Sequence, residues 1–241
     1  MKFITVDSYD ELSRIACDII ATQVKEKPNC VLGLATGSSP LGTYKNLADM
    51  CAKGELDFSK ATSVNLDEYV GLDGSNDQSY RYFMNDKLFN HINIDMSNTH
   101  LPNGKAADLP AEAARYEKEV AALGYADLQV LGVGHNGHIG FNEPGTPIDS
   151  ITHEVNLTEN TIKDNSRLFA SIDEVPKTAL SMGIKNIMQA KSIIIIASGK
   201  NKAEAIKGMV DGKIDTALPA SVLQLHPFVT VVVDKDAGSL L

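Results

Sequence analysis

A chain of 241 residues, 43% hydrophobic and 22% charged, is long enough to bury a sizeable core, and the economical reading is a single domain over 1–241. Its net charge of -9, without any Lys/Arg cluster, argues against nucleic acid, and no apolar run approaches the roughly 20 residues that span a membrane. The N-terminus MKFITVDSYDE has acidic residues where a signal peptide needs an apolar core, and Cys17, Cys30 and Cys51 form no C-x-x-C, so a cytoplasmic enzyme with reduced thiols is expected.

Apolar runs alternate with amphipathic segments along the chain. SYDELSRIACDIIATQVKEK sets Leu12, Ile15, Ile19 and Ile20 at helical spacing. CVLGLAT reads as a short buried strand ending in the turn TGSSP, and LGTYKNLADMCAKG as the next helix. TSVNLDEYVGL reads as one strand running into the polar loop GLDGSNDQ; SYRYFMNDKLFNHI and LPAEAARYEKEVAAL read as helices. ADLQVLGVG is a further buried strand. Beyond it come a strand at THEVNL, a short helix at ENTIKDNSRLF, the plain strand KSIIIIASG, the helical KNKAEAIKGMVDG and a last strand, PFVTVVVDK. Strands that are apolar throughout and alternate with helices predict an α/β fold, a mainly parallel sheet with helices on both faces, in the manner of a Rossmann-like, open three-layer sandwich.

In such a sheet, ligands bind beyond the carboxyl ends of the strands. TGSSP, LDEY, GHNGH and ASGKNK each follow an apolar strand directly, so four segments are expected to converge on one edge. At TGSSP, Thr36, Gly37, Ser38 and Ser39 precede a helix whose free N–H groups and partial positive charge suit a phosphate monoester, which an acidic chain can still hold locally. The lysine of a nucleotide P-loop is absent, and the same hydroxyls could serve as plain N-caps. Asp67 and Glu68 are strand neighbours, so at most one faces a given site; a carboxylate there can be a general base, a helix cap or a surface charge. Arg167 in NSRLF and Lys200 or Lys202 in SGKNKAE are candidate anion partners, as against ordinary solvated cations.

GVGHNGHIGFNEPG, residues 132–145, contains the spacing G-x-G-x-x-G at Gly132, Gly134 and Gly137. A dinucleotide fingerprint needs a helix opening at its third glycine, but Gly140, Pro144, Gly145 and Pro147 follow and cannot sustain one. A catalytic metal would rest on His135, His138 and Glu143, yet metal-binding histidine motifs rely on a helix to put two imidazoles on one face, and no further ligand completes the set. The stretch fits better as an acid–base loop in which Glu143 orients His138, the alternative being a turn with solvent-exposed histidines.

Taken together, LATGSSP, NLDEYVGL and GVGHNGHIGFNEP, in register with NSRLF, VPKTALSMGI and LQLHP, resemble the glucosamine-6-phosphate deaminase family over nearly the whole chain. The resemblance implies conversion of glucosamine 6-phosphate and water to fructose 6-phosphate and ammonia, without a redox cofactor; as read from the loop itself, no metal is expected. By that analogy His138, with Glu143 as its partner, opens the pyranose ring, and Asp67 moves the proton from C2 to C1. Gly37, Ser38, Ser39, Arg167 and Lys202 would hold the phosphate.

The chain departs from the family pattern at Asn136, where many members carry the Asp of an Asp–His–Glu arrangement; Asn136 can hydrogen-bond but holds no charge. It also ends without the C-terminal extension of the long allosteric members, so activation by an N-acetylated sugar phosphate is not expected. Members are often hexamers, which makes a homo-oligomer an expectation that nothing in the sequence specifies. The related phosphogluconolactonases usually read more like D-G-H-x-A-S-L-F-P at the signature loop, and Asp67 and Glu143 favour the deaminase. A sugar-phosphate sensor would need a DNA-binding domain for which there is no spare length.

Overall fold

The architecture follows from strands with apolar residues on both faces. The computed structural model describes residues 1–159, 162–163, 166, 169 and 171–241. Among these, seven strands form one sheet, in the order β1 (Lys2–Val6), β10 (Val229–Asp234), β9 (Ile193–Ala197), β6 (Leu128–Leu131), β2 (Val31–Leu34), β3 (Thr62–Asn65) and β5 (Thr99–His100). Every pairing within it is parallel. The IIII run of β9 shows why such strands lack a polar side: Ile193 and Ile195 join the core on one face, Ile194 and Ile196 the core on the other.

Helices cover both faces. On one, α1 (Tyr9–Glu26) contributes Leu12, Ala16 and Ile20, α2 (Leu41–Ala52) contributes Tyr44 and Leu47, and α3 (Tyr80–Lys87) contributes Met84. On the other, α4 (Leu109–Ala122) inserts Tyr116 and Val120, the single turn α5 (Ile184–Ile187) inserts both its isoleucines, and α6 (Ala203–Asp211) inserts Ile206 and Met209. Each Leu, Ile, Val or Met among these side chains contributes about 1.5–3 kcal/mol on burial. No helix among the described residues is long and apolar enough to cross a membrane.

Two features differ from the sequence reading. β1 was not anticipated: KFITV is a mostly exposed edge strand with no continuous apolar run, held by its register on β10 from Lys2↔Thr230 to Val6↔Asp234. TSVNLDEYVGL is not one strand. β3 stops at Asn65, whose buried amide donates to Leu34 O and whose carbonyl accepts the Tyr116 hydroxyl. The chain then leaves the main sheet as β4 (Asp67–Tyr69). With β8 (Thr178–Ser181) and β7 (His153–Asn156) it builds a second, antiparallel three-stranded sheet, in register Asp67↔Ser181 and His153↔Ser181. The short helix anticipated over 159–169 falls largely on residues outside those described.

The strand order turns at β2 and β6, which lie side by side. From β2 the chain proceeds outward through β3 to β5, and from β6 the other way through β9 to β10. Loops leaving two neighbouring strands in opposite directions open a crevice at their carboxyl ends.

Candidate active site

A cavity of about 240 Å³ occupies this crevice, lined among others by Thr36, Gly37, Ser38, Ser39, Asp67, His138 and Lys202. The four segments expected at one edge are thus all represented in its wall.

The first wall is the turn after β2. Gly37 takes φ +86°, the left-handed region in which a side chain would be strained. The backbone on either side is pinned: the Tyr44 hydroxyl donates to Ala35 O at 2.6 Å, and the Tyr9 hydroxyl donates to Ser38 O at 3.0 Å while accepting Gly42 N–H at 2.9 Å. The N-cap of α2 is Pro40, with no side-chain cap. Ser38 and Ser39 are therefore not spent on capping, which removes the plainer of the two readings of TGSSP.

Opposite lies the turn after β9. Asp234 at the end of β10 accepts Gly199 N–H, Ala237 N–H and the Ser198 hydroxyl, fixing the chain just before the 3₁₀ turn Lys200–Lys202. Of the two lysines left open by the sequence, Lys202 lines the cavity and Lys200 is exposed outside it. Arg167 lies outside the described residues.

β4 separates the neighbouring acids by its two-residue alternation. Glu68 points away from the cavity and accepts N–H groups of Tyr69, Tyr80 and Arg81, each at 2.9 Å, so it closes the N-terminus of α3. Its carboxyl is pushed upward by burial, against the pull of those hydrogen bonds. Asp67 faces the cavity and is only 6% exposed. Burial, and secondarily the charge of Glu68, push its carboxyl up to about 8.

The signature loop returns close to that carboxylate. Gly140 has φ +59°, and a Cβ built there would sit 3.6 Å from Asp67 Oδ2 and 3.3 Å from Ser181 Oγ. Gly134 donates to His138 O at 2.9 Å; a Cβ at Gly134 would fall 2.3 Å from the imidazole, so the ring can lie there only over a glycine. Asn142 anchors the far side through Ile139 O and Met182 O. No helix follows Gly137; the described residues there carry only an isolated bridge between Ile139 and Asn142. That is the physical end of the dinucleotide reading.

Within the loop, Glu143 Oε2 lies 3.6 Å from His138 Nδ1, too long for a hydrogen bond, and Nδ1 is buried with no hydrogen-bond partner among the described residues. The same Oε2 accepts Asn136 Nδ2 at 2.8 Å, while Asn136 Oδ1 accepts His138 N–H at 3.2 Å. Asn136 therefore tethers Glu143 and the backbone of His138 together. An ionised Asp could not donate the first of those bonds. His135 is exposed and reaches the cavity rim.

The sequence reading missed Tyr80, which lines the cavity from the first turn of α3; locally it is one aromatic in an amphipathic helix, with no motif to mark it. Among the described residues, no group of three or more His, Cys, Asp or Glu side chains is placed to hold a metal ion.

Residues 7–232 match the family model described as glucosamine-6-phosphate isomerases/6-phosphogluconolactonase. A glucosamine-6-phosphate deaminase of Thermoanaerobacter pseudethanolicus is 55% identical over 100% of this chain and 95% of its own, and one of Clostridium perfringens (strain 13 / Type A) is 54% identical over 100% of both. The solved structure of a monomeric glucosamine-6-phosphate deaminase superposes with a TM-score of 0.98 at 51% identity, covering 100% of each chain. A 6-phosphogluconolactonase from Trypanosoma brucei, at 19% identity and a TM-score of 0.81 over 100% of this chain and 98% of that one, shares the fold.

Proposed function

The chain belongs to the family of glucosamine-6-phosphate isomerases and 6-phosphogluconolactonases, and from that premise we propose that it converts glucosamine 6-phosphate and water into fructose 6-phosphate and ammonia, an enzyme of amino-sugar metabolism. One observation carries the residue-level reading: the buried carboxyl of Asp67 shares one cavity with the hydroxyl-bearing turn 36–39, with Lys202 from the opposite wall and with His138.

The phosphate docks on the turn Gly37, Ser38 and Ser39, with Lys202, and Arg167 is assigned to the same anion. Backbone N–H groups and hydroxyls of the turn, with the Lys202 ammonium facing them, supply donors and positive charge for a phosphate. His138, supported by Glu143, moves the proton between O1 and O5 as the pyranose opens. Asn136 is a positioning residue that keeps Glu143 in place. Asp67 then takes the proton from C2 of the open aldehyde, giving an enolamine, and returns it to C1. The C2 imine so formed adds water and releases ammonia, leaving the ketone. A base with a raised proton affinity suits both halves of that transfer, since it must accept a proton from carbon and give it back.

The enzyme acts in the cytoplasm as one domain over 1–241, on a small sugar phosphate, and none of these roles requires a partner copy. A coupled assay tests the reading: purified protein incubated with glucosamine 6-phosphate should form ammonia and fructose 6-phosphate in equal amounts. Binding without product, or hydrolysis of 6-phosphogluconolactone in its place, would sink it.

The ionisation of Asp67 has a direct kinetic consequence. The base must be deprotonated, and burial raises its proton affinity, so log kcat/KM should climb with unit slope as pH rises and level off above about 8. A profile already flat from pH 5 upward would contradict that assignment.

A further inference from the structure

Tyr80 stands in the cavity wall alongside Thr36 of the phosphate turn and Asp67, and no role has yet been given to it. Its backbone is clamped at both levels. Its N–H is held at 2.9 Å by Glu68, the residue next to Asp67, and Ser79 caps the helix it opens by accepting Tyr82 N–H at 3.0 Å. Its ring is fixed too, stacked on Phe141 at 5.9 Å and 11° and tilted against Tyr69 at 4.8 Å and 45°. The hydroxyl meets the side chain of Thr36 and lies 3.4 Å from the hydroxyl of Tyr69. A phenol has one hydrogen to donate and lone pairs to accept with. At 3.4 Å its present donor contact is at the long limit, so the hydrogen is weakly used. Burial, with Tyr69 and Asp67 nearby, pushes this phenol well above its ordinary value and keeps it a neutral donor throughout the working range.

A substrate held by its C6 phosphate at one end and by its C2 proton at the other must lay C3 and C4, each bearing a hydroxyl, across the wall between. Resting on the deaminase reading above, we propose that the Tyr80 hydroxyl donates a hydrogen bond to a substrate hydroxyl at C3 or C4, so that Tyr80 is a substrate-binding residue that reads the sugar between its phosphate and its reacting carbons. Because packing already fixes the ring, little freedom is lost when the bond forms.

Tyr80→Phe keeps the ring and its stacking while removing only the donor. The experiment measures kcat/KM of wild type and variant on glucosamine 6-phosphate and on its 3-deoxy and 4-deoxy analogues. Tyr80→Phe should lower kcat/KM on the natural substrate about tenfold. On whichever analogue lacks the paired hydroxyl, variant and wild type should coincide. A merely structural role would lower all three substrates by one factor, and that result overturns the proposal, as does an unchanged rate on the natural substrate. If wild type forms no ammonia from glucosamine 6-phosphate, the deaminase reading falls and this inference with it. If wild type is active and Tyr80→Phe is indifferent, only the inference falls.

Discussion

Asp67→Asn should lower kcat by about three orders of magnitude while leaving KM nearly unchanged, and the variant should be more stable than the wild type in alkaline solution. The kinetic half rests on chemistry. An amide of the same shape cannot take the C2 proton, and a positioned general base typically contributes 10²–10⁴-fold. Binding should survive because the phosphate turn and Lys202 do not depend on this carboxylate. A variant that turned over at near-normal rate would show that the base lies elsewhere.

The stability half rests on linkage. Asp67 holds its proton up to about 8 in the folded chain, whereas an unfolded Asp releases it near about 4. Between those values the folded state binds more protons than the unfolded one, so stability falls as pH rises through the window and the loss is complete above it. The full amount is on the order of 5 kcal/mol. Asp67→Asn removes that dependence. Chemical unfolding of both proteins at pH 5 and pH 9 should show the wild type losing stability between the two and the variant losing less. Parallel losses would mean that the carboxyl is not held protonated by burial.

Glu143→Gln is the second change with a large expected effect. Gln can still accept the bond from Asn136 Nδ2, so the loop should keep its shape and lose only the charge near His138. On the proposed assignment that charge supports proton transfer during ring opening, so kcat on glucosamine 6-phosphate should fall about 100-fold. An analogue with O4 and O5 both methylated can close neither a furanose nor a pyranose ring and enters in its open-chain form; on it the variant should lose only a few-fold. Equal losses on both substrates would remove Glu143 and His138 from ring opening.

The position that departs from the family pattern, Asn136, is clearer in structure than in sequence. With an ionised Asp there, two carboxylates would face each other across 2.8 Å and one would have to take up a proton. Asn136 replaces that repulsion with a donor and leaves Glu143 as the single acid of the loop beside His138. What reads as a missing charge becomes a hydrogen bond that positions the remaining one.

Much of the fold was legible because its signals are local. The isoleucines of β9 declare a strand buried on both sides, and the stripe Leu12, Ile15, Ile19 and Ile20 declares a helix. A turn after each apolar strand places its residues at the carboxyl edge of a parallel sheet, whatever the order of the strands. For that reason the segments TGSSP, LDEY, GHNGH and ASGKNK could be gathered at one edge in advance, and the glycines and prolines after Gly137 could exclude a dinucleotide helix.

What the chain could not disclose locally was decided by partners distant in sequence. Asp67 faces the cavity and Glu68 caps α3 because β4 leaves the main sheet and pairs antiparallel with β8, a register settled by contacts across the fold. Lys202 rather than Lys200 lines the cavity because Asp234, on another strand, fixes the turn before them. Tyr80 joins the site only because Glu68 and Phe141 hold it there. Composition and periodicity report which face of an element is buried, and so determine the layers and the edge where chemistry gathers. Which of two adjacent side chains enters the cavity, and how far its pKa moves, depends on packing and desolvation by residues remote in sequence, and only the tertiary structure supplies those.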